Sequence, residues 1–433
     1  MNGIFFAIVL IAFVTAGYRQ IVWVPPSADA VAPMQALALG MVDTAGAAVT
    51  LAIGLVGVMA LFLGLMKVAE AGGLLTIIAK TIRPVMVRLF PDVPADHPAM
   101  GAMILNMSAN ALGLGNAATP FGIRAMQELD KLNTHKGTAT NAMVLFLAIN
   151  TSSVTLLPTG VIALRASAGS VDPAGILPTT LFATVCSTTV AIIAVKLYQR
   201  YSEIPTDIPP DEPEESPAES GNQEIEDQSV ESSAAYPGWV SALVLLVIAA
   251  LVPLSILYGR TISPWIIPGL MVILLSFGVA RRVRIYEVFV DGARDGFQVA
   301  IRIIPYLVAI LVAVGMLRSS GALEVLVNAI SPVTTLVGMP GEALPMALLR
   351  PLSGSGAYGI LASIINDPAV GPDSYAGYLV STLQGSTETT FYVLAVYFGA
   401  IGIRRVRHAM WAALTADFAG IVGAVAICSY LYG

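Results

Sequence analysis

The sequence predicts an all-α polytopic membrane protein, with about nine transmembrane helices and two re-entrant hairpins in an inverted-topology repeat. Three observations point there. Only 12% of the residues are charged and 56% are hydrophobic, whereas a soluble domain carries about 25% charged residues; the mean hydropathy is +0.79. Apolar runs long enough to cross a ~30 Å hydrocarbon core as a helix recur along the whole chain. The alternating pattern of strands is absent from the sequence, so helices rather than a barrel satisfy the backbone in lipid.

Taken in order, the runs predict spans at 3–18, 44–66, 139–165, 174–198, 238–258, 264–281, 299–317, 375–402 and 408–431. The first, within "MNGIFFAIVLIAFVTAG", ends in small residues as a signal peptide does but lacks the basic start that such a peptide needs. It is expected to stay as a helix, because a helix in the second half corresponds to it. Two further segments, 98–128 and 343–366, are apolar yet broken. "MILNMSANALGLGNAATPFG" (Met103–Gly122) is interrupted by Gly and Asn, and the second segment carries Pro345, Pro351, Gly354 and Gly356. Irregular backbone at membrane depth survives only where protein or a wet cavity surrounds it, so both segments are expected to be re-entrant hairpins.

Charge orients the chain. With the N-terminus inside and both broken segments returning to their starting side, 17 of the 22 Lys and Arg residues fall in the cytoplasm, as the positive-inside rule requires. Arg19, Arg165, Arg260 and Arg318 fall outside, and Arg350 lies within a hairpin. The formal charge of −6 comes from one segment, Ser202–Ala235, which holds eleven Asp and Glu and no Lys or Arg; the rest of the chain carries +5. High charge with few large apolar groups cannot fund a packed core, so residues 202–236 are expected to be a disordered acidic linker in the cytoplasm.

The two halves repeat each other. Val42–Pro84 matches Val290–Pro332, each opening on Val-Asp and running through a span, a Gly, an amphipathic stretch and a Pro. Ala99–Gly115 matches Ala343–Gly359, and "AMVLFLAINTSSVTLLPTG" (Ala142–Gly160) matches "AGYLVSTLQGSTETTFYVL" (Ala376–Leu394). The domains are therefore 1–201, the linker 202–236, a connecting helix 237–260 and the second repeat 261–433. The connecting helix belongs to neither repeat and reverses the second one across the bilayer. Inverted repeats with broken segments in corresponding places are a plan of secondary transporters, whose solute site lies between the breaks.

Four polar clusters sit at repeat-related places. The first hairpin has Asn106, Ser108, Asn110 and Asn116; the second has Arg350, Ser353 and Ser355. The first broken helix has Asn150, Thr151, Ser152, Ser153 and Thr155, and the second has Gln384, Ser386, Thr387, Glu388 and Thr389, followed by Thr390. Buried amides and hydroxyls need partners, either as glue between helices or as ligands of a polar solute or cation. Four clusters at equivalent places favour a site. Ser152 aligns with Ser386, Ser153 with Thr387 and Thr155 with Thr389, whereas Glu388 aligns with Val154. Glu388 thus makes the site asymmetric. Each of Glu388 and Arg350 costs at least ~2.5–3.5 kcal/mol at mid-bilayer if exposed to lipid, so they face the interior, paired with each other or reaching a solute. Asp417, in "LTADFAG", is a third acid within a span.

Several function classes find no support. "GLGNAA" (Gly113–Ala118) imitates a dinucleotide fingerprint, but no strand precedes it. The three His residues are scattered, and Cys186 and Cys428 lie in apolar runs without disulfide or zinc spacing. No nucleophile–His–acid set stands out. An enzyme, a metal centre and a nucleic-acid partner are not expected; Na+ or H+ as a coupling ion is the one cofactor the pattern admits. A homo-oligomer is left open.

"NMSANALGLGNAATPFGIRAMQELDKLN" (Asn106–Asn133) resembles the signature of spore maturation protein A. "AYGILASIINDPAVGPDSYAGYLVSTLQGSTETTFYVLAVYFGAIGIRRVRHA" (Ala357–Ala409) resembles spore maturation protein B, with Ala357 as a departure. The likeness covers about 1–200 and 264–433, as in a fusion of the two. Such proteins are grouped with the nucleoside recognition, or gate, domain, which also occurs in concentrative nucleoside and ferrous iron transporters. The resemblance implies a bacterial inner-membrane protein with transporter-like repeats, and names no substrate. Two functions follow: a secondary transporter or exporter of a small polar solute (an amino acid, peptide or nucleoside-like molecule) working by alternating access, or a non-transporting membrane scaffold or regulator.

Overall fold

A computed structural model describes residues 2–25, 27, 30–113, 118–152, 155–202 and 236–433. Within its helices some side chains, including most between 241 and 264, lie outside the description. The acidic linker is outside it as well. Among the described residues there is no β-strand, and the chain is a succession of helices.

Each half follows one order. A first helix, α1 (Asn2–Ile21), precedes a long helix, α2 (Pro33–Ala71), and a short amphipathic one, α3 (Leu74–Leu89). A helical hairpin, α4 (Pro98–Ala111) and α5 (Ala118–Lys131), comes next. Then come a broken helix, α6 (Asn141–Ser152) and α7 (Thr159–Ser167), and a last helix, α8 (Leu177–Tyr198). The second half runs α9 (Gly238–Ala280), α10 (Ile285–Ser319), α11 (Ala322–Thr334), the hairpin α12 (Leu344–Leu349) and α13 (Gly354–Ile365), the broken helix α14 (Tyr375–Ser386) and α15 (Thr390–Gly399), and α16 (Ala409–Tyr432).

Two corners carry the same device in both halves. Gly73 opens α3 at φ +83° and Gly321 opens α11 at φ +78°. This left-handed backbone is open to Gly at no steric cost. At the first corner the chain bends by 69° between Val56–Ala71 and Leu74–Leu89.

Two expectations differ in detail. Residues 238–280 form one helix, α9, where two spans with a turn near 259–263 are expected. "YGRTI" holds a single Gly and no Pro, Asn or Asp to force a turn, so the i→i−4 ladder runs through it. Among the described residues, α8 and α16 are by themselves long and apolar enough to cross a membrane, and the bent pair α2–α3 is a third candidate. The predicted spans 139–165 and 375–402 are each two shorter helices.

Equivalent helices of the two halves pack against each other, and they run antiparallel. Along α2 and α10, Gly40 meets Ser319, Thr44 meets Gly315, Ala60 meets Gly296 and Lys67 meets Gly292. Small residues let the two backbones touch: a Cβ added at Gly296 would stand 2.7 Å from Ala60 Cα, and one at Gly292 would stand 2.7 Å from Leu63 O. Along α8 and α16, Tyr432 donates to Gly175 O at 2.8 Å and Ser187 to Ala416 O at 2.8 Å, while Gly423 lies on Ala183 and Cys186. Antiparallel equivalents are what an inverted repeat requires.

Arginines brace the halves at both ends. Arg165, closing α7, is fully buried and donates to Pro372 O at 2.6 Å and Asp373 at 3.0 Å, at the entry to α14. Its guanidinium also lies 4.2 Å from the Tyr378 ring. Arg407, after α15, donates to Ala139 O and Asn141 Oδ1, both at 3.0 Å, at the entry to α6. Each repeat thus holds the start of the other's broken helix. From those starts α6 and α14, 12 residues or ~18 Å each, converge on the two breaks.

Candidate functional site

The breaks arise locally. "STETT" (Ser386–Thr390) puts three β-branched threonines around Glu388, and such side chains crowd the preceding turn of a helix. Thr387 and Thr389 are extended, at φ −137° and −80°, so the helix stops and restarts within three residues. The first break ends at Pro158, which has no N–H to give. Each break frees backbone groups that must find partners away from water.

The hairpin turns supply them. In the first half, Leu156 N–H donates to Ala111 O at 3.0 Å. Gly113 there lies at φ +72°, and a Cβ on it would stand 2.2 Å from Leu157 O, so Gly alone allows the contact. In the second half, Phe391 N–H donates to Pro351 O at 3.1 Å, and Arg350 donates to Thr387 O and, at 3.2 Å, to Thr389 Oγ1. The breaks also meet each other, because Glu388 N–H donates to Thr151 O at 2.8 Å. Ser152 O accepts from Thr184 at 3.0 Å and Thr188 at 3.4 Å, both on α8. Two hairpin turns and two unwound segments, far apart in sequence, close into one junction.

On one side of it lies an amide cluster. Asn110 donates to Asn150 Oδ1 at 2.9 Å, and Asn106 donates to Ala118 O at 2.8 Å and to Tyr397 Oη at 3.1 Å. The Tyr397 hydroxyl in turn reaches Asn150 Oδ1 at 3.4 Å. Hairpin one, α6 and α15 are thereby joined through buried polar groups. Tyr397 also fills the space over Gly122 of α5, where a Cβ would overlap its ring.

On the other side lie the charges. Arg350 is buried, and its guanidinium stands 3.8 Å from Glu388, a looser contact than its bonds to the break. Glu388 is 45% exposed at the side chain although the residues on either side of it are buried. Its carboxylate is therefore partly open where the two breaks meet. Asp417, on α16, accepts from Thr390 at 2.7 Å.

The predicted residues divide accordingly. Asn106, Asn110, Asn150, Thr151, Arg350, Thr387, Glu388 and Thr389 meet at the junction. Ser108, Ser152 and Ser386 bond back to their own helices, at Ile104 O, Ile149 O and Leu383 O, and so does the Thr151 hydroxyl, at Ala148 O. Ser353 caps α13 by accepting from Gly356 N–H at 3.0 Å. Gln384 is buried, and its Oε1 has no partner among the described residues. Thr155 lies in the first break, its methyl near Gly113. Asn116, Ser153 and the side chain of Ser355 lie outside the described residues. Tyr397 joins the site beyond the expectation, and Thr390, named with the second cluster, reaches it through Asp417. Tyr397 is embedded in "FYVLAVYFGA", where a lone Tyr carries no signal of its own. Among the described residues no group of three or more His, Cys, Asp and Glu could hold a metal ion.

The family model described as nucleoside recognition (gate) matches residues 52–168 and 300–404, one stretch in each repeat and just over half the chain. Each stretch includes a hairpin and a broken helix. Spore maturation protein B of Bacillus subtilis is 44% identical over 167 residues, covering 39% of this chain and 93% of that protein. Spore maturation protein A of the same organism is 49% identical over 146 residues, covering 34% of this chain and 74% of that protein. The inner membrane protein YjiG of Escherichia coli is 36% identical over 84 residues, 19% of this chain and 55% of its own length. A solved structure of a CNTnw variant in an outward-facing state aligns over the whole chain with a TM-score of 0.45 and 13% identity.

Proposed function

The chain belongs to the nucleoside recognition (gate) family, as a fusion of two parts similar to spore maturation proteins A and B, and from that premise we propose that it is an inner-membrane secondary transporter or exporter of a small polar solute. The observation that carries this is the junction. Two hairpin turns dock on two broken helices of antiparallel repeats, with a half-exposed carboxylate where the breaks meet. In transporters built on inverted repeats, a solute binds at such a place and the halves rock around it. Here the hairpins are re-entrant, and the N-terminus and the acidic linker are cytoplasmic.

Arg350 and Glu388, 3.8 Å apart, suit a solute that carries both charges, such as an amino acid or short peptide. The amide cluster suits hydroxyls and ring nitrogens, as a nucleoside-like molecule would offer. Flux of labelled amino acids, peptides and nucleosides into proteoliposomes, with imposed Na+ and H+ gradients, tests the reading. One solute is expected to accumulate, and Glu388→Gln is expected to cut its flux at least about tenfold, a loss of ~1.4 kcal/mol. No flux from the whole panel, together with an intact cellular phenotype in Glu388→Gln, overturns it.

A second reading, a membrane scaffold or regulator, is favoured by the small size of the cavity beside Arg350, about 10 Å³. It predicts that deleting 203–235 abolishes the phenotype while Glu388→Gln spares it.

A further inference from the structure

That cavity lies between the turn of the second hairpin, α14 and α16. Its polar walls are Arg350, Ser386, Thr387 and Asp417, and its volume of about 10 Å³ is close to that of one water. Asp417 is 4% exposed. Among the described residues its Oδ2 takes a single bond, from Thr390, and its Oδ1 has no partner. Across the cavity, Arg350 bonds to the break at Thr387 and Thr389 and leans toward Glu388, and its Nε is unpartnered. A buried carboxyl with a vacant oxygen and a buried arginine thus share one cavity without forming an ion pair.

An ionised carboxylate offers about four acceptor positions; one neutral hydroxyl fills one of them. Left so, it costs several kcal/mol. A water in the cavity would donate to Oδ1 but leave the charge; three events neutralise that charge: a metal cation, a shift of Arg350, or a proton. A cation would sit against the Arg350 guanidinium, and the lining side chains offer oxygens from Asp417, Ser386 and Thr387 alone, short of the roughly six a hard cation gathers. Among the described residues, the other neighbours add no charge. α6 has no ionisable side chain, α14 presents Ser386, and α15 presents Thr390. α8 presents Ser187 and the Cys186 thiol to α16, with Tyr198 reaching Thr415. Glu388 stands 3.8 Å from Arg350, Tyr358 of α13 lies near both, and His408 caps the N-terminal end of α16.

We propose that Asp417 is a proton-binding site and that Arg350 is the charge it competes for. With the proton on Asp417, the carboxyl is neutral and Arg350 stays on the break beside Glu388, the arrangement in this structure. When the proton leaves to water through the cavity, the carboxylate draws Arg350 across, and the break loses its bonds at Thr387 and Thr389. One proton is gained or lost and no bond other than O–H changes. Proton occupancy on α16 is thereby tied to the grip of the second hairpin on its broken helix. What that movement serves, coupling of a solute to a proton, rests on the transport reading; the protonation is measured without it.

Infrared difference spectra of the purified full chain in lipid nanodiscs, recorded through a pH titration, test the proposal. A protonated-carboxyl C=O band is expected to grow as pH falls, to vanish in Asp417→Asn and to persist in Glu388→Gln. Thr390→Val removes the one donor to the carboxylate, so its band is expected to titrate at higher pH; this variant keeps the test open if Asp417→Asn does not fold. No such band at any pH at which the chain stays folded overturns the proposal. So does a band that ignores pH, or one that Na+ abolishes at constant pH. A solute screen without flux beside an intact titrating band rejects transport and leaves the proton site; flux without the band does the reverse.

Discussion

At the scale of single residues, chemical type and role separate. Ser108 and Asn150 are both buried polar residues in expected clusters. Ser108 bonds one turn back to its own Ile104 O, whereas Asn150 Oδ1 serves Asn110 and Tyr397 from two other elements. Removing Asn150 takes the acceptor from the buried Tyr397 hydroxyl and the nearer acceptor from the part-buried Asn110 amide, and an unpaired buried donor costs about 1–3 kcal/mol. Asn150→Ala is expected to lower the thermal unfolding midpoint in detergent clearly, and Ser108→Ala to leave it almost unchanged. Equal effects would show that the amide cluster does not join the hairpin to the broken helix. The sequence marks both residues alike because hydropathy registers polarity and not the direction of a side chain. Asp417 shows the same limit: it is legible as an acid within a span, but its vacant oxygen and its cavity depend on α14 and on a turn more than sixty residues upstream.

At the scale of elements, glycine position matters more than glycine content. Gly292 and Gly296 on α10 face Ala60 and Gly64 on α2, with backbone atoms in the way of any Cβ. Gly269 on α9 has open space around its Cβ position. Gly296→Leu is expected to destabilise the chain by about 1–3 kcal/mol through overpacking, and Gly269→Ala to be neutral or to stabilise by up to about 1 kcal/mol. Chemical denaturation of the two variants side by side checks this, and a tolerated Gly296→Leu would mean that α2 and α10 do not pack as described. The breaks in 139–165 and 375–402 are readable in advance as polar, β-branched and Pro-bearing interruptions. The continuous α9 is not, because a lone Gly is compatible with both a turn and a helix.

At the scale of the whole molecule, the pairing of equivalent helices sets the symmetry. α2 with α10, and α8 with α16, run antiparallel, and Arg165 and Arg407 brace opposite ends. In the inverted arrangement proposed above, the hairpins enter from opposite sides of the membrane. Cysteines placed at Lys131, exposed at the end of α5, and at Asn366, exposed at the end of α13, are expected to react with an impermeant thiol reagent from opposite sides of sealed vesicles. Labelling of both from one side would reject the inversion.

The sequence by itself determined that this is a helical membrane protein, that it repeats and which segments break, and its charge distribution supplies the orientation proposed above. These are local or periodic properties, carried by hydropathy, by turn-forming residues and by the distribution of Lys and Arg. Only the tertiary structure decided that each hairpin turn satisfies the break in its own repeat, that the two breaks bond to each other through Glu388 and Thr151, and that Asp417 shares a cavity with Arg350. Those partners lie tens to hundreds of residues apart. A buried polar group takes whichever partner packing brings within ~3 Å, and that is settled only when all the helices are in place.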